Sequence, residues 1–461
     1  MAKLVVFIDH DIIVRHFVLS GVLRALEAGH EVVYVFPDSH RRVTSDPACL
    51  PISRYRTVPV SEARLHGYRR LYHATVLKML RGTRDAHAVF AFWREMLGRR
   101  AYWTSWCLSW PGIHHLYQQR MLARIGGHPP LDDLLHEEKP DVIIHPTVLE
   151  GLFVADLVQW GRAHGVPTVY LMNSWDNPAV KAMTVGAPDR LVVWGEHSRL
   201  LARERLRMPL SRILSFGAAQ FEVYRRPPRE TPAAYRQRLG VPPGRRLLLY
   251  AGSSKGLDET AHLLALEEAI ATGRLANCAV LYRPHPWRAQ LESEIDFFAR
   301  AWRHVAMAPD MAGYYRRRRG GDMSPNLADY EETHVTLSAV DAVVSPLSTI
   351  LLEAALHGKP ILAYLPDEDM KQNVALFSMA KTVHFRDFFE RVDCPRCVSP
   401  GDLVADCERL LEAAGRAGIA AELRRQCEFF VDAGERSYAD RLDTLARSLV
   451  GGSASRANGG P

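Results

Sequence analysis

A chain of 461 residues is two to three times the usual size of a domain, so its length predicts two domains, each with its own hydrophobic core. With 47% hydrophobic and 24% charged residues, the composition is typical of globular proteins and excludes collagen-like and wholly disordered chains. The net charge of +6 is mild, and the seven cysteines form no dense, even framework, which favours a reducing compartment.

The first residues have the pattern of a strand, a helix and a second strand. Leu4–Ile8 is an apolar run, Ile13–Ala28 has helical periodicity and stops at Gly29, and Glu31–Phe36 is apolar again. The first run is too short for a signal sequence or a membrane span, and no long apolar run follows it. We therefore expect a βαβ opening in a cytoplasmic protein that is soluble or, at most, peripheral on the inner face of the cytoplasmic membrane.

A basic, Trp-rich segment follows at residues 52–125. It contains thirteen lysines and arginines and three acidic residues, so its net charge is 13 − 3 = +10. It also holds Trp93, Trp103, Trp106 and Trp110. Basic side chains mixed with tryptophan suit an anionic membrane surface or a nucleic acid. The alternative is a solvated helical face whose aromatic residues are buried.

Strand and helix patterns alternate again beyond the basic segment. Strand-like runs occur at Asp141–Ile144, Thr168–Met172 and Arg190–Trp194, and a helix pattern occupies Leu149–His164. Such alternation predicts a parallel sheet with helices on both faces. Residues 1–225 are therefore expected to form one Rossmann-like domain, with residues 52–125 as an insertion.

A stretch rich in proline and arginine, residues 226–245, predicts a linker between two domains. A second alternating set then follows in residues 246–450, with strands predicted at Arg246–Tyr250, Ala279–Tyr282, Ala342–Val344 and Ile361–Tyr364 and helices at Asp258–Thr272 and Thr349–His357. The predicted fold class is thus α/β, with two Rossmann-like domains facing each other across a central crevice. Residues 451–461 have little to bury and are expected to be a disordered tail.

The segment from Ser345 to Leu362 has the strongest pattern for chemistry. A strand ends at Ser345, and a helix begins near Ser348 or Thr349. Free backbone N–H groups at such a helix start can bind a diphosphate, and Glu353, one turn further on, could accept hydrogen bonds from a ribose. The alternative is an ordinary N-capped crossover helix with an incidental glutamate.

Two further strands of the second half end in residues that suit an anion. Arg283-Pro-His-Pro286 fixes the backbone on both sides of His285, so the imidazole and the Arg283 guanidinium could face a phosphate. Ala251-Gly-Ser-Ser-Lys-Gly256, with Ser253 and Lys255, is a weaker phosphate cradle that lacks the Walker spacing. The alternative for the first of these is a rigid turn with a satisfied histidine.

In the first half, Asp176 and Lys181 follow a predicted strand and are expected to project into the crevice. A polar loop with a capping aspartate is the alternative. Asp11 and His16 near the N-terminus are further candidates for acid–base work.

Two Asp-x-Asp strings could hold a divalent cation, Asp9 with Asp11 and Asp367 with Asp369. Their places in different halves argue against a shared site, and we expect no catalytic metal. Cys394 and Cys397 have the spacing of a metal or redox pair, but no second pair follows, so we interpret them as part of a loop.

Four motifs occur in the order found in glycosyltransferases of the two-Rossmann GT-B type, especially those related to the CDP-glycerol glycerophosphotransferases and bacterial surface-polysaccharide transferases. Ser174–Lys181 resembles that family's Trp-His-Gly-Thr-Pro-x-Lys, and Gly217–Glu222 resembles its Gly-x-Pro-Arg-x-Asp. Arg283–Pro286 is similar to Lys-Pro-His-Pro, and Ser345–Tyr364 to a Ser-Asp-Tyr-Ser-Ser stretch followed by an acidic residue, Lys-Pro and Tyr. The resemblance covers about half of the chain, roughly residues 141–367.

This sequence departs from the family at two points. Asp176 stands where the teichoic-acid enzymes have a histidine thought to act as a base, and Pro346-Leu347 replaces their Asp-Tyr. These differences favour sugar transfer over glycerophosphate transfer.

The resemblance implies a metal-independent, nucleotide-sugar-dependent glycosyltransferase in bacterial capsule, O-antigen or teichoic-acid-like synthesis, with no cofactor. The first domain would bind a glycan or lipid-linked glycan acceptor and the second the nucleotide-sugar donor. Asp176 is the first candidate for the base, with Asp11 and His16 behind it, and Lys181 would contact the acceptor or a phosphate. Arg283, His285, Ser253, Lys255, Ser345, Ser348 and Thr349 would bind the donor phosphates, with Glu353 on the ribose.

Three other functions stay open at this point. An alditol-phosphate transferase of the CDP-glycerol type would keep the fold but direct the attack at phosphorus. A UDP-sugar 2-epimerase would need no acceptor. A basic nucleic-acid-binding protein would use residues 52–125, although these carry no known RNA-binding or zinc-finger motif.

Overall fold

The computed structural model describes residues 1–253, 257–286, 295–322, 324 and 326–457, without the side chains of residues 295, 296, 368, 372 and 451–457. The chain forms two compact units. One comprises Met1–Glu222 with Phe429–Pro461, and the other comprises Val223–Glu428. The predicted α/β class, with two Rossmann-like domains, is confirmed, because each unit is built on one parallel sheet.

The first unit contains a seven-stranded sheet in the order β3-β2-β1-β4-β5-β6-β7, with every neighbouring pair parallel. The strands are β1 Lys3–Phe7, β2 Glu31–Pro37, β3 Tyr55–Val58, β4 Val142–Thr147, β5 Thr168–Met172, β6 Arg190–Val193 and β7 Ile213–Ser215. The central strands are apolar on both faces because helices cover both sides. The predicted strands of this half therefore all form, within a few residues of their expected ends.

Helices of the first unit follow the strands in chain order. They are α1 Asp11–Ile13, α2 Glu62–Leu80, α3 Ala86–Leu108, α4 Pro111–Ile125, α5 Pro129–Glu138, α6 Val154–His164, α7 Asn177–Val180 and α8 Glu196–Arg205. Short 3-10 helices occur at Arg24–Ala28, Pro47–Cys49, Leu210–Arg212 and Ala219–Arg225, and a π-helix at Val14–Val18.

The prediction of one continuous helix over Ile13–Ala28 is wrong. The segment is divided into α1, the π-helix and a 3-10 helix, and Gly21 between them has a left-handed φ of 80°. Apolar periodicity persists through such a break, because each piece still buries one face. Helix α6 likewise begins at Val154 rather than Leu149, whose own φ is 63°.

The basic segment contributes β3 to the sheet and then forms α2, α3 and α4, so only the part beyond Val58 is an insertion. Trp93 is buried, but Trp103 and Trp110 are each 52% exposed. Three of its arginines form ion pairs with acidic residues outside the segment. Arg54 and Arg56 pair with Glu138, and Arg64 pairs with Asp156. The segment is therefore neither a fully solvated face nor a fully buried one.

The second unit contains a six-stranded parallel sheet in the order β10-β9-β8-β11-β12-β13. Its strands are β8 Arg246–Ala251, β9 Cys278–Arg283, β10 Val305–Met307, β11 Ala342–Ser345, β12 Ile361–Tyr364 and β13 Arg396–Cys397. Its helices are α9 Pro232–Arg238, α10 Glu259–Ala271, α11 Ile295–Phe298, α12 Pro309–Arg319, α13 Tyr330–Ala339, α14 Ile350–Leu356, α15 Asp367–Gln372, α16 Val374–Ala380, α17 Val383–Arg391, α18 Leu403–Ala413 and α19 Ile419–Cys427, with a 3-10 helix at Pro400–Asp402.

Residues 226–245, expected to be a linker, lie within the second unit and include α9. Tyr235 on this helix is fully buried, and its hydroxyl lies 2.9 Å from the Thr336 hydroxyl. Arg236 forms an ion pair with Asp341 at 2.6 Å. Proline-rich composition therefore does not make this segment a free connection.

The chain returns to the first unit after Glu428 and ends in α20, Tyr438–Ala457. Asp432 N–H donates to the Trp194 carbonyl at 2.7 Å, and a side chain at Gly217, whose φ is 82°, would lie 2.6 Å from the Asp432 carbonyl oxygen. The sequence division assigned these residues to the second domain, because a helical pattern does not identify the sheet on which it packs. Helix α20 also runs through residues 451–457, expected to be disordered, while residues 458–461 lie outside the described part.

Within the described residues, no helix combines the length and the apolar character needed to cross a membrane.

Candidate functional site

Three neighbouring strands of the second sheet end in predicted site residues. Strand β9 ends at Arg283, β8 leads to Ser253 and β11 ends at Ser345. Since these strands are adjacent and parallel, their carboxyl ends lie side by side. Ser345 is fully buried, and its hydroxyl has no hydrogen-bond partner among the residues that the structure describes. A buried, unsatisfied hydroxyl is costly without a bound group or water, so this edge is suited to a polar ligand.

Helix α14 begins at Ile350, after a short turn that follows Ser345. Thr349 is its N-cap, and its side chain makes no capping hydrogen bond. In the described part of the chain, no group accepts a hydrogen bond from the N–H groups of Ser348, Thr349 or Ile350. Free N–H groups and the positive end of the helix dipole favour an anion here.

Glu353 is 8% exposed and accepts a hydrogen bond from the Tyr224 hydroxyl at 2.6 Å on Oε2. The Tyr224 ring packs against His334 and His357, with centroid distances of 5.2 and 4.4 Å. Sequence reasoning missed Tyr224. The signal that could have found it is its place two residues beyond the Gly217–Glu222 motif, in a 3-10 helix that carries the chain into the second unit.

His357 is the C-cap residue of α14, and its ring contacts both the helix backbone and His334. Its Nδ1 lies 2.8 Å from the Glu353 carbonyl oxygen, and its Nε2 lies 2.9 Å from His334 Nδ1. Burial lowers the pKa of His357 to about 3. The His357 imidazole is therefore neutral at pH 7.

Arg283 is buried, and its guanidinium already contacts two neighbouring side chains. It pairs with Asp310 at 3.1 Å and donates to the Thr333 hydroxyl at 3.0 Å. Burial lowers the pKa of Arg283, but the Asp310 and Glu353 carboxylates together with Tyr224 raise it more, so the pKa lies above its ordinary value. The guanidinium thus stays charged, with Asp310 offsetting part of that charge.

The remaining donor-site candidates differ in their placement. His285 is half-buried just beyond β9. Ser253 is fully buried, and its N–H donates to Glu259 Oε1 at 2.7 Å. Lys255 lies outside the described residues.

Asp176 lies in the first unit, just beyond β5. It is the half-buried N-cap of α7, and its carboxylate has no hydrogen-bond partner among the described residues. Lys181, at the other end of α7, forms an ion pair with Glu150 at 2.8 Å. Of these two residues, Asp176 is thus the one whose polar group is available for a substrate.

Asp11 and Asp9 are both buried, and the carboxylate of each accepts hydrogen bonds from backbone N–H groups. Asp11 accepts hydrogen bonds from the hydroxyls of Thr44 and Ser45 at 2.7 and 2.8 Å, and from their N–H groups at 3.1 Å. Asp9 accepts from Leu152 N–H at 2.8 Å. Because both Asp11 oxygens are engaged, a task in loop anchoring accounts for this residue without catalysis.

His16 lies in the π-helix and is buried beside Asn173. Burial lowers its pKa to about 3, and hydrogen bonding to Asn173 opposes this only in part. An imidazole with so low a pKa is a weak base at neutral pH. Asp176 is therefore a stronger candidate for the general base than His16.

The burial of His16 predicts a pH-dependent stability. Its ordinary pKa of 6.5 exceeds the folded value of about 3, so the unfolded chain takes up a proton first as the pH falls. The stability contribution is therefore complete above pH 6.5 and is lost toward pH 3. We expect wild type to lose about 1.4 kcal/mol more unfolding free energy than His16→Gln between about pH 7.5 and 5.5, measured by urea denaturation. Equal losses in the two proteins would contradict this expectation.

The two Asp-x-Asp strings lie in different units. Asp369 Oδ2 is 3.0 Å from His262 Nε2. Over the described residues, no group of three or more His, Cys, Asp or Glu side chains is placed to hold a metal ion. Cys394 and Cys397 are both buried, and burial raises their pKa values, that of Cys397 to about 12, so both thiols stay protonated.

The sequence matches no protein-family model and no curated protein sequence. Solved structures do resemble it. The wall teichoic acid polymerase TagF, soaked with CDPG, is 11% identical with a TM-score of 0.51, over 98% of this chain and 90% of that one. MnaA of S. aureus, solved with UDP, is 10% identical with a TM-score of 0.53, over 98% and 97% of the two chains. A putative UDP-N-acetylglucosamine 2-epimerase of Listeria monocytogenes is 12% identical with a TM-score of 0.54, over 97% and 96%.

These matches extend over nearly the whole chain, beyond the half that carries the sequence motifs. At such low identity, what they share with this chain is the fold. The two parallel sheets, each with its own helices, agree with that result. The chain is therefore a protein of the GT-B fold, as its motifs predicted.

Proposed function

We propose that this protein is a nucleotide-sugar-dependent glycosyltransferase in the synthesis of a bacterial surface polysaccharide. One observation carries the proposal. The fully buried Ser345 hydroxyl, the free N–H groups at the start of α14 and Glu353 follow one another at one strand end. An anion-binding turn followed by a carboxylate suits a nucleoside diphosphate, with the phosphates on the N–H groups and the ribose hydroxyls on Glu353.

In the proposed reaction, an acceptor hydroxyl attacks the anomeric carbon of the donor sugar. The new C–O bond replaces the bond from that carbon to the diphosphate, and Asp176 takes the hydroxyl proton. The nucleoside diphosphate leaves with the bonding electrons. The N–H groups of Ser348 and Thr349, with His285 and the charged Arg283, would stabilise its negative charge. The acceptor would be a glycan, either free or on a lipid carrier, and the reaction needs no cofactor.

A panel of thermal shifts with UDP, CDP and GDP tests nucleotide binding first. We expect one nucleoside diphosphate at 100 times its dissociation constant to stabilise the protein by about 2.7 kcal/mol. Stabilisation by an oligonucleotide alone would refute the proposal in favour of a nucleic-acid-binding protein.

Product analysis then separates the enzymes that share this fold. Sugar transfer releases a nucleoside diphosphate, whereas alditol-phosphate transfer releases a nucleoside monophosphate. A 2-epimerase would convert the nucleotide sugar without any acceptor. The fold is shared with a teichoic acid polymerase and with a putative 2-epimerase, so both alternatives are tested in the same assay.

His285→Ala is expected to lower turnover about tenfold while changing donor binding less, because one hydrogen bond to a charged group strengthens as the diphosphate leaves. Steady-state kinetics and calorimetric donor titration measure the two effects. The exposed His87 gives a matched control, since His87→Ala should change neither quantity. Equal losses in binding and turnover would count against this role for His285.

Full activity in excess EDTA is the expected result of metal removal. Helix N–H groups and basic side chains can stabilise the leaving diphosphate in place of a cation. The measurement is nucleoside-diphosphate release with EDTA and after adding back Mg²⁺ or Mn²⁺. A strict need for either ion would direct attention to Asp9 and Asp11 or to Asp367 and Asp369 as ligands.

A further inference from the structure

Five large apolar side chains are exposed between residues 96 and 116, on α3 to either side of its break at Gly98, in the turn after α3 and on α4. We call them the hairpin surface: Met96 (57% exposed), Trp103 (52%), Trp110 (52%), Ile113 (53%) and Leu116 (49%). Single exposed apolar residues are ordinary, but a concentration of them on consecutive helices marks a docking site.

The tryptophans of the hairpin surface are held in place rather than loose. Arg81 lies over the rings of both Trp106 and Trp110, at 4.0 and 4.4 Å from their centroids. Trp106 in turn contacts Trp103 with a centroid distance of 6.4 Å. Arg81 also donates to Ser109 Oγ at 2.8 Å, which fixes the turn between the two helices. The exposed rings are therefore presented on a supported framework.

The charge around this surface is predominantly positive, with Glu95 beside Met96 as its one exposed acidic residue between positions 94 and 124. The same two helices carry the exposed arginines Arg99, Arg100, Arg120 and Arg124. No acidic residue occurs in the sequence between Glu95 and Asp132. In the described part of the chain, Arg99 and Arg100 form no ion pair. A partner for this face must therefore be both apolar and negatively charged.

We propose that the hairpin surface docks on an anionic lipid bilayer. Tryptophan favours the headgroup level of a membrane, aliphatic side chains can enter the acyl boundary, and arginine binds lipid phosphates. Met96, Ile113 and Leu116 would have no task against a nucleic acid, whose surface offers phosphates and bases. A symmetric contact between two copies would bring the like-charged arginines together with only the Glu95 carboxylates to pair them. The proposal rests on this surface alone and is independent of the nucleotide site.

Flotation with vesicles of phosphatidylcholine, with and without phosphatidylglycerol, tests the proposal on the full-length protein. We expect binding to the anionic vesicles at low salt, and release at high salt. Trp103→Gln/Ile113→Gln/Leu116→Gln should lose most of this binding. Leu200→Gln/Leu264→Gln removes exposed apolar residues elsewhere and is the matched control. Arg99→Gln/Arg100→Gln should weaken binding about fivefold for each arginine that contacts lipid.

Five outcomes would overturn the proposal. Wild type could fail to bind anionic vesicles at low salt, or bind neutral vesicles equally well. The triple variant could bind as wild type does. Light scattering could find a wild-type dimer that the triple variant dissociates, which would assign the surface to a second copy. An oligonucleotide could bind this surface while vesicles do not. Thermal unfolding checks that each variant is folded. If the triple variant does not fold, unchanged vesicle binding by Arg99→Gln/Arg100→Gln would overturn the proposal.

Discussion

Asp176→Asn is expected to lower the turnover number by about 10²–10⁴-fold, the usual contribution of a general base. The amide keeps the size of the side chain but cannot accept the acceptor's proton. Asp176 is half-buried at the carboxyl end of β5, and no described side chain occupies its carboxylate. Stability and nucleotide binding should therefore change little. The measurement is steady-state release of nucleoside diphosphate, with thermal unfolding and nucleotide titration beside it.

Asp38→Asn is the matched control for this variant. Asp38 is an exposed aspartate just beyond β2, another strand of the same sheet. Among the described residues it makes one hydrogen bond, from its backbone N–H to the Val58 carbonyl. It should keep wild-type turnover. If Asp176→Asn retained turnover within threefold of wild type, the base would have to be sought elsewhere. Asp11 would be a poor substitute, since Thr44 and Ser45 engage both of its oxygens.

Glu353→Ala is expected to weaken nucleotide binding by about 1–3 kcal/mol, roughly 5- to 150-fold in the dissociation constant. The variant removes a buried carboxylate that we propose accepts hydrogen bonds from the ribose hydroxyls. Isothermal titration with the preferred nucleoside diphosphate measures the loss. A 2′,3′-dideoxy nucleotide sharpens the test, because it lacks the hydroxyls in question and should bind wild type and variant alike.

Two further variants separate this role from a structural one. Tyr224→Phe removes the hydrogen bond to Glu353 Oε2 and should weaken binding by about 0.5–1.5 kcal/mol, again only for the nucleotide with an intact ribose. Glu412→Ala, at an exposed position of α18, should have no effect. A Glu353→Ala protein that binds the natural nucleotide as tightly as wild type would refute the proposed ribose contact.

The arrangement of the second sheet explains why its motifs could be found without a structure. A buried parallel strand has a short apolar run, and the residues just beyond it lie at the carboxyl edge of the sheet. Arg283 and Ser345 could therefore be placed at one edge from local pattern alone, and the structure places them at the ends of β9 and β11, on either side of β8. What local pattern could not give was the state of each side chain. Asp310 pairs with Arg283 from a different strand–helix connection, 27 residues further along the chain.

Tyr224 illustrates the same limit from the other side. It precedes Glu353 by 129 residues and donates to its carboxylate at 2.6 Å. No periodicity relates residues so far apart, because their contact depends on how the 3-10 helix at Ala219–Arg225 packs against α14. The sequence motif Gly217–Glu222 indicated the neighbourhood but not the residue.

The sequence by itself determined the α/β class, the two parallel sheets and nine of the thirteen strands that the structure describes, because apolar runs of four to six residues between turn residues are a local property of buried strands. The short edge strands β3, β7, β10 and β13 were not predicted. The tertiary structure alone decided where Phe429–Pro461 belongs, how residues 13–28 divide into three kinds of helix, and which polar side chains are already engaged. Those features depend on contacts between distant segments, such as Asp432 with Trp194 or Asp11 with Thr44. Such contacts form only when the chain folds, so their contribution to stability is not visible in the pattern of any local segment.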